Sequence, residues 1–147
     1  MKIAWICSYP VESLQNQGLV LQRSRPEHPC SWIVNLSRAL AEHPDVELHL
    51  FMETQFVSKD QVIHAGNIHY HVLRQAIPFT TRGLPAWLPW GPVTGYRFRA
   101  WRLARKVRAI VPDVVHGHGT EGSNALAAHF SGYPASFCYG KLLRLPL

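Results

Sequence analysis

Pro112-Asp113-Val114-Val115-His116-Gly117-His118-Gly119-Thr120-Glu121 is the stretch on which the fold turns. Pro112 stops whatever helix precedes it, because it offers no backbone N–H and its ring clashes with the turn before. Asp113 to His116 reads as a short strand, and the glycines and histidines that follow alternate into a loop. A small-residue helix comes next, over residues 122–131, closed by Gly132. Strand, glycine-rich loop and helix are the repeating parts of open α/β sheets, and ligands there bind outside the carboxyl ends of the strands.

Working outward, residues 94–111 read as a helix with Tyr96, Ala100, Leu103, Val107, Ile110 and Val111 on one face. Residues 77–92 hold Pro78, Pro85, Pro89 and Pro92 among aromatics, which excludes regular structure over most of that stretch. Val62-Ile63-His64 and Ile68-His69-Tyr70-His71-Val72-Leu73 flank Gly66-Asn67 as a hairpin or strand-turn-strand. Val46 to Met52 alternates as a strand. Before it, Ser31 is placed to cap a helix with Trp32, Ile33, Leu36, Ala39 and Leu40 at spacings of three and four, ended by Pro44. Residues 9–30 read as a long polar loop, and Lys2 to Ser8 as a strand buried on both faces. Residues 133–139 supply a last strand. The expected fold is an open, doubly wound, mostly parallel Rossmann-like sheet of about five main strands with helices on both faces.

Composition narrows the classes. At 147 residues there is room for one domain, and 47% apolar with 16% charged residues excludes a disordered chain. No apolar run is long enough for a signal peptide or a membrane span, so the reading is of a cytoplasmic protein. Cys7, Cys30 and Cys138 are odd in number and far apart, which fits reduced thiols rather than a disulfide framework or a zinc ribbon. The net charge of +6 has a local source: Arg97, Arg99, Arg102, Arg105, Lys106 and Arg108 crowd one helix. The simplest reading is a solvated basic face. With Trp87 and Trp90 just upstream, Arg102 and Arg105 also suit an anionic membrane or polyanion surface, at the inner membrane face. No nucleic-acid module is visible, and no nucleic acid is expected as partner.

The chemistry concentrates in the opening stretch. Strand alternation puts His116 and His118 on one side, while Gly117 and Gly119 let backbone amides approach a ligand. The helix start supplies free N–H groups for oxygen-rich or anionic groups. His-x-His is also a metal pattern, but catalytic zinc needs a third ligand, and Thr120-Glu121 follows where a metallohydrolase would continue Asp-His; no metal is expected. Neither GxGxxG nor GxxxxGK occurs after the first strand. Ser31 at a helix start offers a hydroxyl and amides that can hold a phosphate, or simply cap the helix.

On Lys2-Ile3-Ala4-Trp5-Ile6-Cys7, His28-Pro29-Cys30-Ser31-Trp32-Ile33, Glu47-Leu48-His49-Leu50, the block from Pro112 to Glu121, Ala125-Leu126-Ala127-Ala128 and Ser131-Gly132-Tyr133-Pro134, the chain resembles the N-terminal domain of GT-B, family-four-like glycosyltransferases. The resemblance runs in order along nearly the whole chain. It implies a two-lobed retaining enzyme with its active site between the lobes, the first lobe binding a sugar or lipid-linked acceptor and the second a nucleotide-sugar. The nucleotide-sugar is a co-substrate, and no cofactor is implied. By position, His118 would meet the reacting sugar as a catalytic residue with Glu121, while His116, Gly119, Thr120 and Ser31 would bind substrate. Two departures stand out: the Gly-Gly pair that many relatives carry after the first strand is absent, and relatives continue beyond this chain into the donor lobe. The expectation is therefore an incomplete glycosyltransferase lobe over residues 1–140, an atypical tail over residues 141–147, and a short chain inactive by itself.

Overall fold

The computed structural model describes residues 1–22, 30–75, 94–119 and 122–138. Six strands form one sheet in the order β3-β4-β2-β1-β5-β6. They are β1 Lys2–Ile6, β2 Glu47–Thr54, β3 Gln61–Ala65, β4 Ile68–Arg74, β5 Val114–His118 and β6 Ala135–Cys138. Every neighbouring pair is parallel except β3 with β4, which form the hairpin expected around Gly66-Asn67. β4 also pairs parallel with β2, so the hairpin extends the main sheet rather than standing beside it, which raises the count from about five strands to six.

The two faces carry separate cores. Trp5 and Cys7 of β1 and its continuation, Leu48, Leu50 and Met52 of β2, and Tyr70 and Val72 of β4 turn to one face, where Ile33 of helix α1 (Ser31–Ala41) covers them. Ala4, Ile6, Phe51, Leu73 and Val115 turn to the other. There they meet Ala100, Leu103 and Val107 of α2 (Arg97–Arg108) and Ala127 and Ala128 of α3 (Asn124–Ser131). Because β2 is covered on both sides, its alternate residues are buried as well. Burial of His49 to 5% exposure replaces the half-exposed strand that alternation suggested.

Three local expectations are corrected. Residues 9–19 are no polar loop: Val11–Gln17 is a 3-10 helix whose Val11 and Leu14, with Tyr9 and Leu19, enter the α1-side core. Apolar residues spaced by two, three and five were too irregular for a helical stripe yet sufficient to pin the segment.

Ser31 is the first residue of α1 rather than its cap. Cys30, in the left-handed region with φ 35°, precedes the helix with no side-chain cap bond, and its carbonyl accepts the Ile33 amide at 2.9 Å. The buried stripe of α1 is Ile33 and Ser37 with Val34, Leu40 and Ala41 partly covered. Ser37 is tolerated at full burial because its hydroxyl donates to the Val34 carbonyl at 2.9 Å. Trp32 and Leu36 are left 46% and 48% exposed.

α2 is shorter at both ends than residues 94–111, and Val111, with φ 51°, is exposed. The tail at residues 141–147 and the proline-rich stretch at residues 77–92 lie outside the described residues.

Candidate functional site

β1 is the strand from which the chain winds in both directions, through β2 and β4 to one side and β5 and β6 to the other. Such a switch point splays the loops that leave two adjacent strands, and a crevice opens between them. Here it opens between the ends of β1 and β5 as a cavity of about 310 Å³. That lies at the lower end of the size range for small-molecule sites. Ser8 lines it from the end of β1, His118 and Gly119 from the end of β5, Cys30, Trp32 and Ile33 from the start of α1, and Asn124 from the start of α3.

His118 is the last residue of β5, and its ring packs against Trp32 at 4.3 Å between centroids, tilted by 48°. Behind it Trp5 touches both histidines, at 5.6 Å from His116 and 6.2 Å from His118. His116 and His118 share one face of β5, as alternation required, 5.9 Å apart. Gly119 follows at φ 80°, a left-handed turn that glycine adopts without strain. Asn124 ties the two sides together by donating its Nδ2–H to the His118 carbonyl at 2.9 Å. Burial first, and then the nearby His118 charge, hold His116 below the ordinary imidazole range. Its Nδ1 lies 2.7 Å from the Ser136 hydroxyl on β6.

The crevice thus collects His118 and Gly119, with His116 one step below it. Ser31 stands exposed in the first turn of α1, outside the lining. Thr120 and Glu121 lie outside the described residues, as do Trp87 and Trp90. Ser8, Cys30, Trp32, Ile33 and Asn124 in the lining, and Cys138 beside it, were not assigned to the site from the sequence. Trp32 was placed on the core face because its spacing with Leu36 and Ala39 is as helical as that of Ile33 with Ser37. Asn124 sat inside an unremarkable helix start. Cys138 stands directly across from His118 in the β5–β6 register. The ligand atoms of His116, His118 and Cys138 lie within 4.8 Å of one another, so the neighbouring strand sets beside the two histidines a third group of metal-ligating type that spacing along the chain did not offer.

The basic helix is engaged more deeply than a solvated face. Arg102 donates to the Arg74 carbonyl at 2.6 Å, to Asp60 at 2.9 Å and to Glu53 at 3.2 Å. Arg99 holds the other Glu53 oxygen at 2.7 Å, and Lys106 reaches Asp60 at 3.0 Å. Burial works to raise the Asp60 carboxyl, but the Lys106 and Arg74 amide bonds, with the Arg102 and Lys106 charges, leave it below its usual range. Arg102 therefore acts as an internal clasp between α2, β2 and the β4 end. Arg105 lies over the exposed Trp101 ring, 6.0 Å from its centroid. Among the described residues no helix is long and apolar enough to cross a membrane.

Two solved structures share this arrangement of strands and helices. One is an alpha,alpha-trehalose-phosphate synthase (UDP-forming) from Burkholderia vietnamiensis, with TM-score 0.50 and 14% identity, the match covering 95% of this chain and 32% of that one. The other, described as trehalose-6-phosphate from E. coli bound with UDP-2-fluoro glucose, has TM-score 0.50, 12% identity and the same two coverages. The fold is that of a Rossmann-like GT-B lobe. The chain spans about a third of the length of the chains it matches. No protein-family model matches the sequence, and no curated protein matches it. The crevice lies where open sheets of this kind hold their ligands, at the carboxyl ends of β1 and β5.

Proposed function

We propose that the chain is the acceptor-binding lobe of a retaining glycosyltransferase of the family-four-like kind, which moves a sugar from a nucleotide-sugar donor. The observation that carries this reading is His118 leaning on Trp32 at the mouth of the β1–β5 crevice, beside the left-handed Gly119. An aromatic wall beside an imidazole and backbone amides suits a polyhydroxylated ring: apolar C–H faces lie against the indole, and hydroxyls meet polar groups. In this reading His118 touches the reacting sugar, and Glu121 works beside it. The amides of Gly119 and Thr120 contact hydroxyl or phosphate oxygens, Ser31 contributes from the first turn of α1 outside the crevice lining, and His116 supports the ring of His118 from below. The donor's diphosphate would be held by a second lobe, and no cofactor or metal enters the transfer. The acceptor is a sugar or a lipid-linked sugar. The polyanion-surface reading would rest on Arg105 with Trp87 and Trp90, and the three acceptors held by Arg102 weigh against its joining them.

Because Trp5 and Trp32 flank the site, indole fluorescence and amide NMR shifts report occupancy directly. Titration with a hexose, a hexose 6-phosphate and a UDP-hexose is expected to perturb residues 30–33 and 117–119 with at least one of the first two. His118→Ala and Trp32→Ala are each expected to weaken that binding about tenfold or more, the equivalent of one or two lost polar contacts. A chain that binds none of the three at millimolar concentration, or binds equally well in both variants, would refute the proposed site.

A second expectation concerns turnover. Holding both reactants in register can account for roughly 7–11 kcal/mol of a barrier, and the charge on a departing diphosphate needs dedicated partners. The 147 residues alone are expected to give no measurable transfer from a radiolabelled UDP-hexose. Robust transfer that depends on His118 would overturn the assignment of the donor site to another lobe.

A further inference from the structure

On the opposite face of the sheet from the crevice, a second constellation has no part in the reading above. Strand registry sets His49 of β2 directly beside His69 of β4, and His69 directly beside His64 of β3. Glu47 lies two residues before His49, and His71 two residues after His69, on that same face. The row runs from the β3 edge to His71, which adjoins Phe51 of the α2-side core. His64 and its neighbour Val62 are exposed.

We infer that Glu47, His49 and His69 form a binding site for a divalent first-row metal ion of the zinc class, backed by His64 and His71.

The Nε2 atoms of both central histidines converge on one oxygen, Glu47 Oε1, at 2.9 Å for His49 and 3.7 Å for His69. All three ligand atoms lie within 4.8 Å of one another. A metal bound at about 2.0–2.1 Å with tetrahedral angles separates its ligand atoms by about 3.3 Å, and the two distances to Glu47 bracket that value. The His49 and His69 rings are stacked, 4.4 Å between centroids and 9° from parallel, with both Nε2 atoms facing Glu47 Oε1, and an ion shared between them turns the rings out of that parallel stack.

The other nitrogen of each ring is already held by a further histidine. His49 Nδ1 lies 2.9 Å from His71 Nε2, and His69 Nδ1 lies 2.7 Å from His64 Nδ1. A metal-binding imidazole needs this arrangement: one nitrogen donates its proton to a neighbour, which leaves the other nitrogen's lone pair for the ion and fixes the ring. His71 is itself stacked on Phe51, 4.3 Å between centroids, which anchors the backing partner to the core. Without an ion, His49 donates its Nε2–H to Glu47 and accepts at Nδ1 from His71. With an ion bound, a tautomer change in each ring turns the His49–His71 bond round, the Nε2–H bond to Glu47 gives way to coordination, and the total proton count is unchanged. Lys2 occupies the other Glu47 oxygen at 3.8 Å and donates to the Ile110 carbonyl at 3.2 Å, which leaves Oε1 to the histidine pair. Two imidazoles and a carboxylate favour zinc, cobalt or nickel over magnesium or calcium. Three protein ligands leave a fourth position open.

Neither the fold assignment nor the glycosyltransferase reading is needed for this inference. The test uses the whole chain, stripped with a chelator and titrated with Zn²⁺ by calorimetry, with Co²⁺ as an optical probe. One tight equivalent is expected, weakened about 100-fold in Glu47→Gln and in His69→Gln, both partly exposed positions that tolerate the change. A weakening of about tenfold is expected in His64→Gln, where only the backing bond is lost. His118→Gln/Cys138→Ser, which removes the other histidine–cysteine group, is expected to retain the site. X-ray absorption at the zinc edge is expected to show only nitrogen and oxygen neighbours near 2.0–2.1 Å. A sulfur neighbour near 2.3 Å, loss of binding in His118→Gln/Cys138→Ser alone, or equal affinity in Glu47→Gln and the parent would each overturn the inference. So would the absence of any equivalent tighter than millimolar.

Discussion

Removing both guanidiniums that face Glu53, in Arg99→Ala/Arg102→Ala, is expected to lower the free energy of unfolding by about 3–5 kcal/mol, the usual cost of stranding a buried charge. The Glu53 side chain is only 3% exposed, while those of Arg99 and Arg102 are 26% and 19% exposed. The carboxylate cannot reach water by a rotamer change. Left without Arg99 Nε at 2.7 Å and Arg102 Nη1 at 3.2 Å, it regains polar partners only by opening the packing between β2 and α2. The reverse deletion is milder. In Glu53→Ala both arginines can turn outward, and Arg102 keeps Asp60 and the Arg74 carbonyl, so about 1–3 kcal/mol is expected. Glu53→Met placed on top of the double variant should recover part of the loss, because an apolar side chain carries no desolvation cost there. Urea unfolding of the four proteins measures the ordering. If Glu53→Ala proves the most damaging, the buried carboxylate is not the member that dominates.

Gly117→Ala is the second large effect. A β-carbon at Gly117 would stand 3.0 Å from the Ala125 Cα, 3.1 Å from the Ala128 Cβ and 3.1 Å from the Asn124 carbonyl oxygen. None of these is the end of a flexible side chain, so α3 must move away from β5 as a unit. Overpacking of that kind costs about 1–3 kcal/mol, and Gly117→Val more. The displacement also reaches the crevice, since Asn124 opens α3 and holds the His118 carbonyl. Gly117→Ala is therefore expected to lower the melting temperature and to weaken hexose binding together, whereas Ala128→Gly is expected to change stability with little effect on binding. A Gly117→Ala protein as stable as the parent would mean that strand and helix are less closely packed than the structure has them.

The sheet was legible where a strand is apolar throughout or a helix has one unambiguous stripe. Lys2–Ile6, the hairpin around Gly66-Asn67, and Ala100, Leu103 and Val107 of α2 belong to this class. So was the pairing of His116 with His118, since alternation along a strand is a local rule. α1 was harder. Its sequence offers two helical stripes sharing Leu40, and only the shape of the sheet surface decides that Ile33 and Ser37 go inward and Trp32 outward. Cys138 beside His118, and the row of His49, His69 and His64, were illegible for another reason. They depend on which strands are neighbours and in what register, and no pattern within one strand carries that information. The charges of α2 were visible as a cluster, but their partners Glu53, Asp60 and the Arg74 carbonyl come from more than twenty residues upstream.

The place of β1 in the middle of the sheet has a consequence for how the chain reaches its native state. Lys2 pairs with Glu47, and Ile3 with Val114, so β1 gains its second partner only after more than a hundred further residues have been made. At about 5–20 residues per second, that interval lasts on the order of 5–20 s. Through it, β1 has one strand edge open, and its Ala4 and Ile6 have no α2–α3 layer behind them. Contacts this distant along the chain slow the search for the folded state, and a nascent chain halted before β5 would present a sticky apolar edge to its neighbours.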